Sequence, residues 1–268
     1  MAPLEKRTGR FTIFYYSSLL EPEALLRALS RGRMVEGRGR GGIKIIEAGG
    51  LKLVSRKYVH GGLFRAFTRD LFLWQNRATS EAEIMAHLGE KGFPVVVPFC
   101  AIVERLFLVK RLYLVTYLQE GAVELLEYFQ RSTRKERLRC VRRLAELLWL
   151  LKQADVYHPD FHLRNVLVVP GNRLAFLDFD RARKRPVNDR DMNAMFRRMG
   201  RFADKMVRQG LLDTNDEEKT LFLRTYARLS GRDFTEEMRA AARRTSYLNR
   251  LGWFIEWLLF RRGFSKGN

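Results

Sequence analysis

The segment Tyr157–Asp180, YHPDFHLRNVLVVPGNRLAFLDFD, restricts the fold more than any other stretch of this chain. Two short apolar runs, Val166–Val169 and Leu174–Leu177, flank the turn residues Pro170-Gly171-Asn172. Apolar, β-branched-rich runs on either side of a Pro-Gly-Asn turn predict a β-hairpin. Such a hairpin returns the chain to its starting point. Asn165, just before the first strand, and Asp178, just after the second, then come close enough to share an ion. Asp160 lies five residues ahead of Asn165, and Asn165 thirteen ahead of Asp178. The pattern therefore gathers two carboxylates and one amide at the end of a hairpin.

These intervals suit phosphoryl transfer, in which the protein mainly positions reactants and neutralises charge. Asp160 is placed to accept a hydrogen bond from an acceptor hydroxyl and take its proton. Asn165 and Asp178 offer the oxygen ligands that Mg2+ prefers. His162, two residues after the base, could reach the transferring phosphoryl. Each residue also has a plainer reading. Asp-Phe-Asp is common, His158 and His162 could be structural histidines, Asp160 a turn residue and Asn165 a cap. Those readings would have to hold simultaneously within one hairpin, and the catalytic reading is preferred.

A chain with this chemistry needs phosphate contacts upstream. Gly37-Arg38-Gly39-Arg40-Gly41-Gly42 fits Gly-x-Gly-x-x-Gly through Gly37, Gly39 and Gly42, and leads into the strand-like run Ile43–Ala48. A dinucleotide fingerprint would open a helix instead. Glycines let backbone approach phosphate closely, although a disordered basic segment would look the same. After Gly49-Gly50, a third strand is expected over Leu51–Val59, where Lys52, Arg56 and Lys57 all compete to contact ATP phosphates. Alternation does not choose among them. A helix over Ser80–Gly89 is expected, with Ser80 as cap and Glu83 as capping-box acid. Glu81 shares the apolar stripe of Ile84, Met85 and Leu88 and so needs a partner.

Two further strands, Phe99–Glu104 and Arg111–Leu118, precede Gln119-Glu120-Gly121, the expected adenine-binding hinge. Leu138, Val141, Leu144, Ala145, Leu148 and Leu151 then mark a long amphipathic helix. The expected fold class is α+β and two-lobed, with a strand-rich, ATP-binding lobe over 1–120 and a helical lobe over 121–268.

The chain resembles the lipopolysaccharide kinase family, the 3-deoxy-D-manno-octulosonic acid (Kdo) kinases and their heptose-kinase relatives. The resemblance rests on Gly37-Arg38-Gly39, Arg56-Lys57-Tyr58-Val59-His60-Gly61-Gly62-Leu63, His158-x-Asp160-x-His162-x-x-Asn165 and Leu177-Asp178-Phe179-Asp180-Arg181. The Arg-x-Tyr-x-x-Gly-Gly-Leu element discriminates most, because the others recur in aminoglycoside and choline kinases. The resemblance covers about residues 30–200. It implies a protein-kinase-like fold, ATP and Mg2+ as cofactors, and a sugar hydroxyl of lipid A-linked Kdo or heptose as acceptor, the 4-position in Kdo kinases. It also favours Arg56 as the phosphate-contacting basic residue, paired with Glu81. The chain has Arg-Lys-Tyr where Arg-His-Tyr is usual, and Phe161 where Leu is commoner. The alternatives are an aminoglycoside-type small-molecule kinase and a non-catalytic basic binding module.

Fifty Lys and Arg against thirty Asp and Glu give a net charge of +20, a field that attracts anionic partners. No nucleic-acid reader motif accompanies it, so an anionic glycolipid and an anionic membrane surface are the expected partners, with no nucleic acid. Arg181, Arg183 and Arg185, just beyond Asp178, are candidate substrate contacts, each weighed against an ordinary solvated loop. Cys100 and Cys140 stand alone and read as reduced core residues. No secretory pattern or bilayer-spanning run is recognised, since Phe11–Tyr16 is too short an apolar core. The expected location is cytoplasmic, peripheral on the inner membrane. Leu251–Phe260 is apolar nearly all round and reads as a core helix, with an interfacial anchor as the competing reading.

Overall fold

The computed structural model describes residues 2–35, 42–60, 70–73, 76–240 and 243. Gly37, Gly39, the Gly61-Gly62-Leu63 run and Leu251–Phe260 lie outside them. The chain is mixed α/β, with a strand-rich sheet built from its first part and helices dominating its later part.

Strands β1 (Leu4–Thr8), β2 (Phe11–Tyr15), β3 (Arg33–Val35), β4 (Ile43–Ala48), β5 (Leu51–Lys57), β6 (Pro98–Leu106) and β7 (Val109–Tyr117) form one sheet. Its order is β1-β2-β6-β7-β5-β4-β3. Every pairing in it is antiparallel. Strand β6, between β2 and β7, is buried from Pro98 to Glu104, because helices cover both faces. Cys100 and Ile102 pack toward α1 (Pro22–Arg31) with Leu25, Leu29 and Ile46. Ala101 and Val103 pack toward α2 (Arg77–Glu90) with Met85 and Leu88. That alternation along a strand is the two-residue period of a sheet covered on both sides.

Helix α2 starts three residues before the expected cap. Ser80 sits inside it, its amide donating to the Asn76 carbonyl at 3.0 Å. Asn76 is the N-cap, and Glu83 faces solvent rather than closing a capping box. The extra turn carries a local bond, Thr79 Oγ1 on the Asn76 carbonyl at 2.8 Å, and is held from outside by Arg77 on Asp180 at 2.7 Å. Local cap chemistry cannot register such support.

Beyond β8 (Val123–Glu124) come α3 (Leu125–Arg131) and α4 (Arg134–Gln153). The latter opens on a capping box between Thr133 and Glu136. It buries Val141, Leu144, Ala145, Leu148 and Leu151, the stripe legible in sequence. The remaining elements are β9 (Val156–Tyr157), a 3-10 turn (Leu163–Asn165), β10 (Val166–Val169), β11 (Arg173–Phe176), β12 (Arg183–Lys184), α5 (Asp189–Arg208) and α6 (Asp216–Ser230). Strands β10 and β11 pair Val166 with Phe176 through Val169 with Arg173. The turn between them uses φ +81° at Gly171 and +56° at Asn172, a region that Gly and Asn tolerate best. Phe176 anchors the hairpin in the core, stacked on Phe161 at 5.3 Å and edge-on to Phe93 at 5.0 Å. Burying a side chain of that kind contributes roughly 1.5–3 kcal/mol.

Candidate active site

Backbone pairing sets the places of the three candidate residues. Asp160 lies in the loop after β9, and β9 pairs with β12 through Tyr157 with Arg183 and Val156 with Lys184. The Leu177 amide donates to the Asn165 carbonyl at 2.9 Å, which ends the hairpin one residue earlier than expected and sets Asp178 immediately beyond Asn165's partner. Asp178 adopts φ +64°, uncommon for a residue with a side chain. A tertiary frame on both sides holds it there, the situation in which strained backbone persists at working sites.

Of the three basic candidates on β5, Arg56 meets the helix acid. Lys52 pairs with Glu120 at 2.7 Å on the surface, and Lys57 with Asp70. Arg56 pairs through Nη2 with Glu81 and through Nη1 with Asp178 Oδ1 at 2.9 Å. The Glu81 side chain is fully buried. Besides Arg56 it accepts from the Tyr58 hydroxyl, and its Oε1 accepts from the Phe179 amide at 3.0 Å. Burial pushes Glu81 up, to about 7, against the pull of Arg56. Arg56 is itself held well above the ordinary Arg value: burial opposes its charge, and Glu81, Tyr58 and Asp178 outweigh it. These two tendencies disagree about the same pair. Three converging donors fit a charged, acceptor-only carboxylate, so the geometry favours the ionised pair.

For Asp178, burial also opposes ionisation, but Arg56, by charge and hydrogen bond, holds the carboxyl below its usual value. Asn165 is buried at the other side of the hairpin end. An amide and a carboxylate oxygen are hard donors suited to Mg2+, which commonly takes few protein ligands and completes its shell with phosphate and water. Among the described residues no cluster of three or more His, Cys, Asp or Glu could hold a metal.

Two side chains that sequence reasoning did not single out complete the arrangement. Arg198 of α5 donates from Nε and Nη2 to Asp160 Oδ1, at 2.9 and 2.6 Å. Arg77 of α2 grips Asp180. Arg77 stands four residues before Glu81, on the same helix face, and Tyr58 stands two after Arg56, on the same strand face; both periodicities were available signals. Arg198 is thirty-eight residues from Asp160, and no local pattern announces it.

His158 and His162 sit against aromatic rings. His158 is buried between Phe161 and Phe179, neither ring nitrogen makes a well-formed hydrogen bond, and burial lowers it to about 4. His162 stacks on Phe202 at 4.7 Å, and burial lowers it too. Burial therefore disfavours the charged form of both rings.

The model of the "Lipopolysaccharide kinase (Kdo/WaaP) family" matches residues 27–226. The chain belongs to this family. A 3-deoxy-D-manno-octulosonic acid kinase of Xanthomonas oryzae pv. oryzae (strain PXO99A) is 29% identical over 155 residues, 56% of this chain and 61% of that protein. Proteins of the same name from Xanthomonas campestris pv. campestris (strain B100) and Xylella fastidiosa (strain M12) are 28% identical over 171 residues and 25% over 155, with the same coverage. The chain thus spans about three fifths of the curated relatives it matches.

Within this Kdo/WaaP family member, the basic residues after Asp178 separate into two kinds. Arg185 is committed to a two-point pair with Asp191 at 2.7 Å, its guanidinium lying over Tyr157. Arg181 and Arg183 are exposed. Gly42, the described member of the glycine motif, has φ +73°, and a Cβ there would strike Met34. The loop after β7 hydrogen-bonds to β5 through the Leu118 amide on the Lys52 carbonyl at 3.0 Å, and Gly121 in it adopts φ +69°. Among the described residues no helix is long and apolar enough to cross a membrane.

Proposed function

We propose that this chain is an ATP- and Mg2+-dependent kinase that phosphorylates a sugar hydroxyl of the lipopolysaccharide inner core on lipid A, the 4-hydroxyl of Kdo. The observation that carries the reading is the meeting of Arg56, Glu81 and Asp178 beside the hairpin end that also holds Asn165, within a chain of the Kdo/WaaP family. In this reading the sheet and residues 1–120 form the nucleotide-binding lobe, and 121–268 the acceptor lobe. Gly37, Gly39 and Gly42 cover the phosphates, and Arg56, oriented by Glu81, contacts them. Asn165 and Asp178 hold Mg2+, which neutralises charge on the phosphate oxygens when bound. Asp160, oriented by Arg198, takes the proton of the acceptor hydroxyl as its oxygen bonds to the γ-phosphorus and ADP leaves. Exposed Arg181 and Arg183 suit the acceptor's anionic groups. The enzyme would work peripherally at the cytoplasmic face of the inner membrane.

Transfer from γ-labelled ATP, with Kdo-lipid A and heptosylated lipid as parallel acceptors, tests this. Label is expected on Kdo-lipid A, lost by roughly 10²–10⁴-fold in Asp160→Asn with the thermal transition retained. Label only on heptosylated lipid would move the reading to a heptose kinase. Wild-type transfer by Asp160→Asn would remove the assigned base.

A further inference from the structure

The β6–β7 hairpin turns in two residues, Phe107 and Leu108, with Leu106 paired to Val109. Among the described non-glycine loop residues there, only Phe107 has positive φ, +57°. That sign pattern belongs to a type II′ turn, whose first central position is ordinarily Gly. Here it holds an aromatic side chain that is 99% exposed, followed by a Leu that is 73% exposed. Among the described residues no large apolar side chain is more exposed. Folding gains nothing from this choice: the backbone is strained, and neither side chain is buried. An exposed apolar tip of this kind marks an interaction site.

The surroundings say which kind. The β1–β2 turn runs alongside, with the Arg105 amide on the Arg10 carbonyl at 2.8 Å. Arg10, Arg105, Lys110 and Arg111 therefore ring the tip. The nearby carboxylates, Glu104 and Asp70, are already satisfied by Arg10, Lys57 and Arg111. Arg105 is exposed, and among the described residues the Lys110 ammonium donates only to the Asn76 side-chain oxygen, at 3.1 Å. Two apolar side chains are far too small for a stable protein interface, which needs about 800 Å² per partner. Pairing two such tips would also oppose cation to cation. A bilayer with anionic headgroups asks for neither area nor complementary shape, and takes apolar tips below a cationic collar.

We infer that the β6–β7 tip is a membrane-docking element, inserting Phe107 and Leu108 at the acyl boundary of an anionic bilayer while Arg10, Arg105 and Lys110 contact headgroups. Register places it at the end of the sheet where β5 finishes and β4 begins. The same end carries Gly42, just ahead of β4, so under the kinase reading docking brings that glycine to the surface that holds a lipid-anchored acceptor. The docking itself does not depend on that reading.

Cys100 and Cys140 are buried, so a cysteine placed at 107 can be labelled selectively in the full-length protein. Phe107→Cys and, as reference, Gln209→Cys at the exposed end of α5 would carry an environment-sensitive nitrobenzoxadiazole probe. Vesicles of phosphatidylethanolamine and phosphatidylglycerol, free of any glycolipid acceptor, are then added. The probe at 107 should shift to the blue and brighten about twofold or more, with the probe at 209 unchanged. Phe107→Ser/Leu108→Ser should sediment with these vesicles about tenfold more weakly while unfolding at the wild-type temperature. A water-like probe at 107 on protein that has bound the vesicles would overturn the inference, as would undiminished sedimentation of the double variant. A signal that rises with protein concentration without lipid would overturn it in favour of a second copy of the chain. Because no acceptor is present, failure here leaves the kinase reading untouched, and failure of transfer leaves docking untouched.

Discussion

Replacing Arg56 with Met tests whether the buried acid of α2 depends on its guanidinium. Glu81 has no side-chain exposure, and Arg56 is 30% exposed. Removing one partner of a buried pair leaves an uncompensated charge and typically costs 3–5 kcal/mol. Arg56 also bonds Asp178, which has 37% exposure and contributes less after solvent screening. The expected loss is therefore about 3 kcal/mol at pH 8, read from urea unfolding with unchanged slope. Its pH dependence has a definite sign. Burial already holds Glu81 up, to about 7, in the presence of Arg56, which pulls it down. Without Arg56 it lies higher still. A folded value above the unfolded one means that the native state binds a proton the unfolded chain lacks, so stability increases as pH falls. The deficit of Arg56→Met should shrink between pH 8 and pH 5, and Arg56→Met/Glu81→Gln should be more stable than Arg56→Met at pH 8. A deficit below about 1 kcal/mol, or one independent of pH and of Glu81→Gln, would refute the reasoning.

Three other outcomes are expected. Arg198→Ala should lower kcat about tenfold to a hundredfold with KM for ATP unchanged, since it acts on the position of Asp160; a rise in KM alone would assign Arg198 to binding. Asp178→Ala should weaken Mg2+-dependent nucleotide binding by about tenfold or more in titration calorimetry, and unchanged affinity would remove the metal role proposed for it. Burial raises Cys140 to about 11 and holds Cys100 well above the usual thiol value. At pH 8 the Cys140 thiolate is then about one part in a thousand, so a disulfide reagent should react only after denaturation, and fast reaction of the native protein would contradict the core assignment.

How much was legible follows from the range of each signal. The hairpin was readable because its turn chemistry and apolar runs are contiguous, and β10 spans the expected Val166–Val169. Helix α4 was readable because a twenty-residue stripe averages out exceptions. The start of α2 was not, since Ser80 looks like a cap and the outside support of the earlier turn comes from Asp180, a hundred residues on. Strand β2 and helix α1 have no such signal: the run Phe11–Tyr16 reads only as a short apolar core, and the strand Phe11–Tyr15 within it is fixed by pairing with β6. Choosing Arg56 over Lys52 and Lys57 needed the family pattern, because an alternating strand offers each a plausible outward place. Arg198 needed coordinates.

The two-residue ribbon of β9 with β12 has a wider consequence. It closes a loop from His158 to Ala182 in which Asp160, Asn165 and Asp178 all sit. The closure entropy of that loop is met once, locally, and Arg198 of α5 with Arg77 and Glu81 of α2 then fasten its polar groups to the helices on either side. A shift of α5 against α2 would therefore be felt at Asp160 and at Asp178 together, across one closed loop.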